Sequence, residues 1–381
     1  MKFLYQGSLL MQVLTKMLRV VPKKSKTAIL IRLAATVTGM LEVLAVNGKM
    51  TLKASLPVCV EVPGAICVPP KTLADLVTAL ARAGRPIHVD HDEVMRQLTL
   101  TSGTVHHVLG SSPGDCVEDT HEEEDADTTL RIPVATLRQT LDRLSPVQAL
   151  DPGSKSITDT CLDLDEEGRV TMVTTDTFRL AIVKVPDVQV SGDVKATSWV
   201  LRNSDLVLLA GVMAGKGNAG DDLLLGLGLK TWTASWGCYR LSAPFSEKRF
   251  PNWRSIVPKA YANCLVVDGA ELEDRLKMAS RLGDKKSARV GFRWNGSSEC
   301  ILAAGNKELG AESTMPLALT WQYREVQPDT ELVMDAKLME PLVQRLAGKV
   351  EFAFTASALP AMVRSVDPDA QVEYLQMPIN T

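Results

Sequence analysis

The sequence predicts an α+β protein built from three similar units, each with two helices and several antiparallel strands. One pattern, a strand-like stretch followed by a short turn and an apolar helix, occurs three times. Its helices are expected at 71–83, 203–214 and 335–347. Leu73, Leu206 and Leu338 hold equivalent places and are 133 and 132 residues apart. A period of this length indicates a repeated domain rather than a solenoid repeat.

Each third of the sequence has a further helix near its start. Apolar residues recur every three or four positions in these segments, as they do at Leu137, Leu141 and Leu144, which is the spacing of one helix face. The predicted helices are 8–21, 133–144 and 270–282. Two helices in each of three units give six helices.

Strand-like segments with alternating apolar residues lie between and after the helices. Those between the two helices of a unit are 41–46, 49–53, 169–174, 179–185 and 290–294. Those after the second helix are 87–89, 94–100, 223–233, 350–354 and 362–366. Runs of strands separated by single helices favour helices on one face of antiparallel sheets. Pro341 follows the expected N-cap Asp335 by six residues and predicts a kink in the last helix.

Chain length and charge distribution indicate the domain boundaries. A chain of 381 residues is too long for one hydrophobic core, and three domains are predicted at 1–127, 128–256 and 257–381. Residues 115–127 contain eight carboxylates and no Lys or Arg, as expected of a solvated linker. Without these eight negative charges, the rest of the chain carries +5 rather than −3.

The composition is that of an ordinary globular protein, with 45% apolar and 23% charged residues. No apolar run reaches the roughly 20 residues that a bilayer requires. Lys16 and Arg19 interrupt the apolar start, which disfavours a signal peptide. The seven cysteines form no CxxC pair and indicate reduced thiols. We therefore expect a cytoplasmic protein without a membrane span.

The motifs of common enzymes are missing from the sequence. It has no GxSxG, HExxH or GxGxxG pattern. Residues 211–220 fail as a phosphate-binding loop because Lys216 is followed by Gly, and a helix-capping loop is favoured there. His88, His91, His106 and His107 lack a ligand spacing and are assigned to surface strands rather than to a metal site. A hydrolase or transferase on repeated α+β domains is the enzymatic alternative. We expect no catalysis, no cofactor and no metal.

Basic residues recur on the polar faces of the predicted helices. Lys16 and Arg19 lie in the first helix, and Arg275, Lys277 and Arg281 lie in the fifth. For any single helix an ordinary solvated surface is the favoured interpretation. Recurrence at equivalent positions indicates one shared basic surface, which would contact phosphates without reading base sequence.

Three segments together resemble a known family. Residues 175–181 read TDTFRLA, residues 250–258 read FPNWRSIVP and residues 374–379 read YLQMPI. Their order and separation resemble the bacterial sliding clamp, the β subunit of DNA polymerase III, with its T-D-G-H-R-L-A, F-P-D-Y-x-x-x-x-P and Y-x-x-M-P-hydrophobic motifs. The chain departs from that pattern where the family has Gly-His, a later Arg and a basic residue after the tail. The residues found there are Thr177 with Phe178, Ser255 and Asn380.

The resemblance implies a divergent clamp with three tandem clamp domains, in which two helices pack on antiparallel sheets and the chain forms half of a closed ring. A head-to-tail homodimer would encircle duplex DNA without sequence specificity. It would tether the replicative polymerase and so act as a processivity factor through effective concentration. The implied partners are the polymerase, the clamp loader and other proteins that carry a clamp-binding peptide.

The resemblance also implies site residues at the matching positions. The hydrophobic partner-peptide cleft comprises Ile157, Thr175, Thr177, Phe178, Arg179, Leu180, Pro251, Ile256, Ala358, Pro360, Leu375, Met377, Pro378 and Ile379. The DNA-facing residues are Lys24, Lys71, Arg202 and Lys337, and those of the dimer interface are His107, Leu109 and Leu282. The alternative is a clamp-like peptide-binding scaffold that does not encircle DNA, which the net charge of −3 and the altered interface would suit.

Overall fold

The protein is an α+β structure with six α-helices and extensive antiparallel sheets in its described part, which confirms the predicted fold class. The computed structural model describes residues 1–22, 28–81, 85–119, 126–148, 159–192, 195–214, 221–283, 287–294, 299–306, 310–325, 331–355 and 359–379. All six predicted helices are present, with ends that differ from prediction by at most four residues.

The first third of the chain contains two of these helices. Its elements are β1 (Lys2–Gln6), α1 (Gly7–Val20), β2 (Ile31–Ala35), β3 (Met40–Asn47), β4 (Met50–Pro57), β5 (Cys59–Val62), β6 (Gly64–Val68), α2 (Pro70–Ala81), β7 (Pro86–Asp92), β8 (Gln97–Ser102), β9 (Val105–Gly110) and β10 (Ser112–Pro113).

The middle third repeats this order as far as the third strand after its second helix. Its elements are β11 (Thr128–Pro133), α3 (Val134–Leu144), β12 (Asp159–Leu164), β13 (Val170–Thr175), β14 (Arg179–Val185), β15 (Gln189–Gly192), β16 (Thr197–Arg202), α4 (Asn203–Met213), β17 (Asp222–Leu227), β18 (Thr231–Trp236) and β19 (Tyr239–Pro244).

The last third begins after the connector, which we define as residues 247–259. Its elements are β20 (Asn263–Asp268), α5 (Gly269–Leu282), β21 (Arg289–Arg293), β22 (Glu299–Asn306), β23 (Ala311–Tyr323), β24 (Glu331–Asp335), α6 (Ala336–Val343), β25 (Lys349–Phe354), β26 (Ala361–Ser365) and β27 (Val372–Gln376).

The described residues group into two compact units. The first unit comprises 1–135, 187–194 and 204–245 and contains two sheets, ordered β5-β1-β7-β8-β9 and β10-β6-β2-β3-β4-β19-β18-β17-β11-β15. The second comprises 136–186, 195–203 and 246–381 and contains one sheet, ordered β16-β12-β13-β14-β27-β26-β25-β20-β23-β22-β21-β24. The predicted domain boundaries after residues 127 and 256 stay predictions.

Each unit buries the apolar faces of its helices. In the first unit, α1 packs against α2, and Leu73 and Val77 of α2 are buried. In the second unit, α5 packs against α6, where Met339 is fully buried. Leu338 is only half-buried. In the third repeat, the buried position that corresponds to Leu73 is therefore Met339, one residue later than the predicted Leu338.

Helix α6 ends four residues earlier than predicted. Asp335 is its N-cap, as expected, and accepts a hydrogen bond from the backbone N–H of Lys337 at 3.0 Å. Pro341 has no N–H to donate, and only two helical residues follow it. The backbone N–H groups of Arg345 and Leu346 then donate to carbonyls three residues earlier, which tightens the last turn. Pro341 is thus followed by the end of a short helix rather than by a kink in a long one.

Two strand predictions were wrong in extent. The segment 94–100 begins as a turn, because the Asp92 carboxylate accepts hydrogen bonds from the N–H groups of Val94 and Met95, each at 2.9 Å. The strand starts only at Gln97. The segment 223–233 is a hairpin of β17 and β18, whose turn is closed by a bond from Gly228 N–H to the Thr231 carbonyl.

Candidate functional site

Adjacent strands of the second unit bring two of the sequence motifs together. Strand β14 pairs with β27 in antiparallel register, with Arg179 opposite Gln376 and Leu180 opposite Leu375. Just beyond the strand ends, Met377 N–H donates to the Phe178 carbonyl at 2.9 Å. The middle-domain motif and the C-terminal motif therefore form one continuous edge of the site.

A tight turn of residues 176–178 joins β13 to β14 and presents Phe178 to solvent. The Asp176 carboxylate accepts bonds from the N–H groups of Phe178 and Arg179, at 3.1 and 2.7 Å. The Thr175 hydroxyl donates to the Arg179 carbonyl at 2.7 Å. Thr177 between them has a φ of 77°, in the left-handed region that favours glycine. These hydrogen bonds stabilise the turn, while Phe178 remains 61% exposed.

Arg179 points away from this exposed surface. Its Nε donates to Asp176 Oδ2 at 2.8 Å, its Nη2 lies 2.7 Å from the same oxygen, and both side chains are nearly buried. Its Nη1 donates to the Leu338 carbonyl of α6 at 3.0 Å. These charge-assisted hydrogen bonds, together with the low exposure of both side chains, hold the Arg179 guanidinium in one orientation. Arg179 therefore connects the turn to α6 instead of lining an open surface.

The C-terminal segment is anchored on both sides of Met377. Gln376 is buried and its Nε2 donates to the Asp335 carbonyl at 3.1 Å. Ile379 N–H donates to the Val333 carbonyl at 2.8 Å. Pro378 is buried and Ile379 is half-buried, while Met377 is 38% exposed. Met377 is thus the accessible side chain of the predicted tail residues.

Tyr374, the first residue of the tail motif, ties β27 to α3. Its hydroxyl donates to the Arg143 carbonyl at 2.7 Å. The ring is fully buried, and this burial raises the pKa of the phenol above its ordinary value. The hydroxyl therefore stays protonated and keeps its donor role at physiological pH.

A further exposed residue was missed by the sequence interpretation. Strand β26 pairs with β27, with Ala361 opposite Gln376. Leu359 lies just before this pairing and is 45% exposed, whereas Pro360 beside it is buried. The sequence feature that could have identified Leu359 is an apolar residue directly before Pro360, at the start of a strand. We call Phe178, Met377 and Leu359 the apolar rim. Ile157 and Ala358 lie outside the described residues.

The connector crosses one face of the sheet in the second unit. Its residues Phe250, Trp253 and Val257, with Tyr261 beyond it, pack on a buried cluster of side chains. This cluster is formed by Cys161, Val173, Leu180, Ile182, Cys264, Ala353, Met362 and Leu375. Leu180 and Leu375, both predicted as cleft walls, are therefore core residues. Pro251 is half-buried, and Ile256 is exposed.

The described residues among those predicted to face DNA lie in the first turn of a helix or at the end of the strand that precedes a helix. Lys71 is exposed in the first turn of α2. In the second unit, Arg202 is half-buried at the end of β16, and Lys337 is half-buried in the first turn of α6. Lys24 lies outside the described residues. Helix starts attract phosphate through their free N–H groups as well as through side-chain charge.

The predicted interface residues His107 and Leu109 lie on β9, an edge strand of the five-stranded sheet. His107 is half-buried and Leu109 is buried. The same strand exposes Val105 and Val108. Leu282 is half-buried at the end of α5. An edge strand with exposed valines can pair with another strand.

Comparison with solved structures identifies the fold. The chain superposes on the DNA polymerase III subunit β of Pseudomonas aeruginosa with a TM-score of 0.89 and 19% identity, covering all of both chains. The chain has the fold of the bacterial β sliding clamp. The C. crescentus β sliding clamp matches with a TM-score of 0.87 and 18% identity over all of both chains. The Bartonella birtlesii clamp bound to griselimycin matches with the same scores and coverage.

At 18–19% identity, this likeness shows the fold alone. No protein-family model matches the chain. None of the described helices combines the length and apolar character that crossing a membrane requires. Two of the four histidines considered as metal ligands lie beside hydroxyl groups: His91 Nε2 is 2.9 Å from Ser111 Oγ, and His106 Nδ1 is 3.0 Å from Thr101 Oγ1.

Proposed function

We propose that the protein is a non-catalytic processivity factor for a DNA polymerase. Two chains would close head to tail into a ring around duplex DNA, with three clamp domains per chain at 1–127, 128–256 and 257–381. The observation that carries this proposal is the full-length likeness to β sliding clamps at a TM-score of 0.89. A ring of this kind accelerates synthesis by keeping the polymerase at high local concentration on the template. It would act in the cytoplasm, where its thiols stay reduced.

The proposed DNA contacts are Lys24, Lys71, Arg202 and Lys337. The exposure of Lys71 in the first turn of α2 supports contact with phosphates. Phosphate contacts of this kind position a protein without reading base sequence. Their number would determine how steeply any open-ring binding falls with salt.

The proposed dimer contact uses β9 and the end of α5. Val105 and Val108 support it, because their exposed apolar side chains on an edge strand would be covered by a second chain. His107, Leu109 and Leu282 would complete the contact. Each interface of a two-chain ring would join unlike surfaces, and such head-to-tail contacts give a closed ring when the rotation between the two chains brings the free surfaces together.

The proposed partner site is the apolar rim together with Thr175, Thr177, Pro251, Ile256, Pro378 and Ile379. Phe178, Met377 and Leu359 are neighbours along the ends of three paired strands and remain accessible. Methionine and leucine suit a surface that must accept several different peptides, because their side chains adapt. The replicative polymerase, the clamp loader and other proteins with an apolar clamp-binding peptide would share this site.

A topological experiment tests the ring. The protein is loaded with a clamp loader onto nicked circular DNA, and retention is measured by gel filtration in 0.5 M salt (about a 4 Å Debye length) before and after linearisation. A closed ring stays on the circle and slides off the linear form. Binding through phosphate contacts alone would be lost from both templates at this salt concentration.

A clamp-like scaffold that binds peptides without encircling DNA is the second candidate. The net charge of −3 favours it. Sedimentation at micromolar concentration separates the two. A stable monomer that binds apolar peptides supports the scaffold, whereas a dimer retained on circular DNA supports the clamp.

A further inference from the structure

A cavity lies under the connector, on the same sheet face as the buried cluster. It has a volume of about 630 Å³. Its floor is formed by Cys161 and Asp163 of β12 and by Val200 of β16, and its wall includes Phe250 and Trp253. The predicted peptide cleft includes only Pro251 from this lining. The cavity is therefore a separate feature next to the proposed partner site.

Two arginines, Arg249 and Arg254, line this cavity. Arg254 forms an ion pair with Asp163, and its guanidinium carbon lies 4.4 Å from the centre of the Trp253 ring. Arg249 lines the cavity and is exposed. Burial raises the pKa of the Cys161 thiol to about 12, so that part of the floor is uncharged at neutral pH.

The connector as a whole also carries a net positive charge. Residues 247–259 contain four cationic side chains and one carboxylate. Inside the cavity, Asp163 is already paired with Arg254, which leaves the charge of Arg249 in excess among the lining residues. An apolar wall beside excess positive charge fits a peptide that has a carboxylate near an apolar anchor, and it repels one with a lysine there.

Strand geometry gives the distance between this cavity and the apolar rim. Cys161 pairs with Val173, and Val173 pairs with Ile182, so the cavity floor lies two strands from β14, or about 10 Å. Ile182 is four residues along the chain from Phe178, or about 13 Å in a strand. The combined separation is about 16 Å, which about five residues of an extended peptide span.

We propose that the connector cavity is an acidic-residue subsite for partner peptides, which accepts a Glu or Asp side chain about five residues from the apolar anchor. This inference rests on the proposed peptide-binding function and specifies the chemistry of the partner. Arg249 would contact the carboxylate directly, while the Arg254–Asp163 pair and Trp253 would form the cavity wall against which the peptide packs.

The experiment uses two synthetic fluorescein-labelled peptides and the full-length protein. Both peptides have a Leu-Leu-Phe anchor, with either Glu or Gln at the positions four to six residues away on each side. Fluorescence anisotropy at low salt is expected to give about three- to fivefold tighter binding for the Glu peptide, the range for an exposed charge contact. Raising the salt concentration should reduce this preference.

Arg249→Gln is expected to abolish the preference for the Glu peptide while leaving the Gln peptide unaffected. Lys349→Gln removes one positive charge elsewhere on the same unit and should leave the preference intact. Thermal melting of both variants checks that the exposed substitutions leave the fold unchanged. Equal affinities of the native protein for both peptides, or a preference that survives Arg249→Gln, would overturn the subsite. Failure of both peptides to bind would refute the proposed apolar site itself.

Discussion

The turn at Thr177 leads to a specific prediction about stability. Its φ of 77° places a β-branched residue in the left-handed region, where an L-residue loses roughly 1–2 kcal/mol relative to its ordinary conformation. Glycine has no such penalty, but its larger conformational freedom in the unfolded chain costs about 0.5–1 kcal/mol. The Thr177 side chain is exposed, so its removal sacrifices little packing. Thr177→Gly should therefore stabilise the second unit by about 1 kcal/mol.

Thermal unfolding followed by circular dichroism and tryptophan fluorescence measures this effect. For a unit of this size, 1 kcal/mol corresponds to a rise of about 2–4 °C in Tm. Thr177→Ala is the matched control, because alanine keeps the Cβ atom and therefore the backbone strain. Its Tm should stay close to that of the native protein. If Thr177→Gly melts no higher than Thr177→Ala, the strain inferred from the backbone angle is absent.

Two further predictions concern the apolar rim and the thiols. Phe178→Ala should weaken binding of an apolar peptide about tenfold without changing Tm, because the ring is 61% exposed. Leu229→Ala, at an exposed leucine of the other unit, should leave affinity unchanged, and equal losses would contradict the site. At pH 8.5, peptide mass spectrometry should show alkylation of exposed Cys59 but not of Cys161, whose folded pKa of about 12 exceeds the ordinary 9. Cys161 should therefore favour the folded state fully below pH 9, and this contribution should fall as pH rises from 9 towards 12. Alkylation of both thiols at one rate in the folded protein would contradict the burial of Cys161.

Helices were predicted well because their signal is local. Leucine spacings such as Leu137, Leu141 and Leu144 describe one face of a single segment, so no distant partner is needed to recognise it. The errors arose where a single residue acts on the backbone. Asp92 starts a turn through its own side-chain bonds, and α6, which contains Pro341, ends at Val343 two residues beyond the proline.

The candidate site was predictable in part. The motif resemblance selected the turn at 175–180 and the tail at 374–379, and the structure brings them together through the pairing of β14 with β27. The motif resemblance did not show which of the predicted site residues are exposed and which are buried. Phe178 and Met377 are accessible, whereas Leu180 and Leu375 lie under the connector. Residues two apart in a strand line the same face of the sheet, so alternation does not distinguish Phe178 from Leu180 or Met377 from Leu375. The connector, which covers Leu180 and Leu375, makes that difference.

The sequence by itself determined the α+β class, the positions of the six helices and the identity of the three motifs, because each of these depends on residues close together in the chain. Only the tertiary structure decided that Arg179 turns towards α6, that Leu359 joins the rim and that the connector encloses a cationic cavity. The rim depends on the pairing of Leu180 with Leu375, and the other two features depend on contacts between residues 159 apart (Arg179 with Leu338) and 91 apart (Arg254 with Asp163). The register of the strands and the choice of residues that the connector covers follow from the packing of the whole unit. No local sequence pattern encodes them.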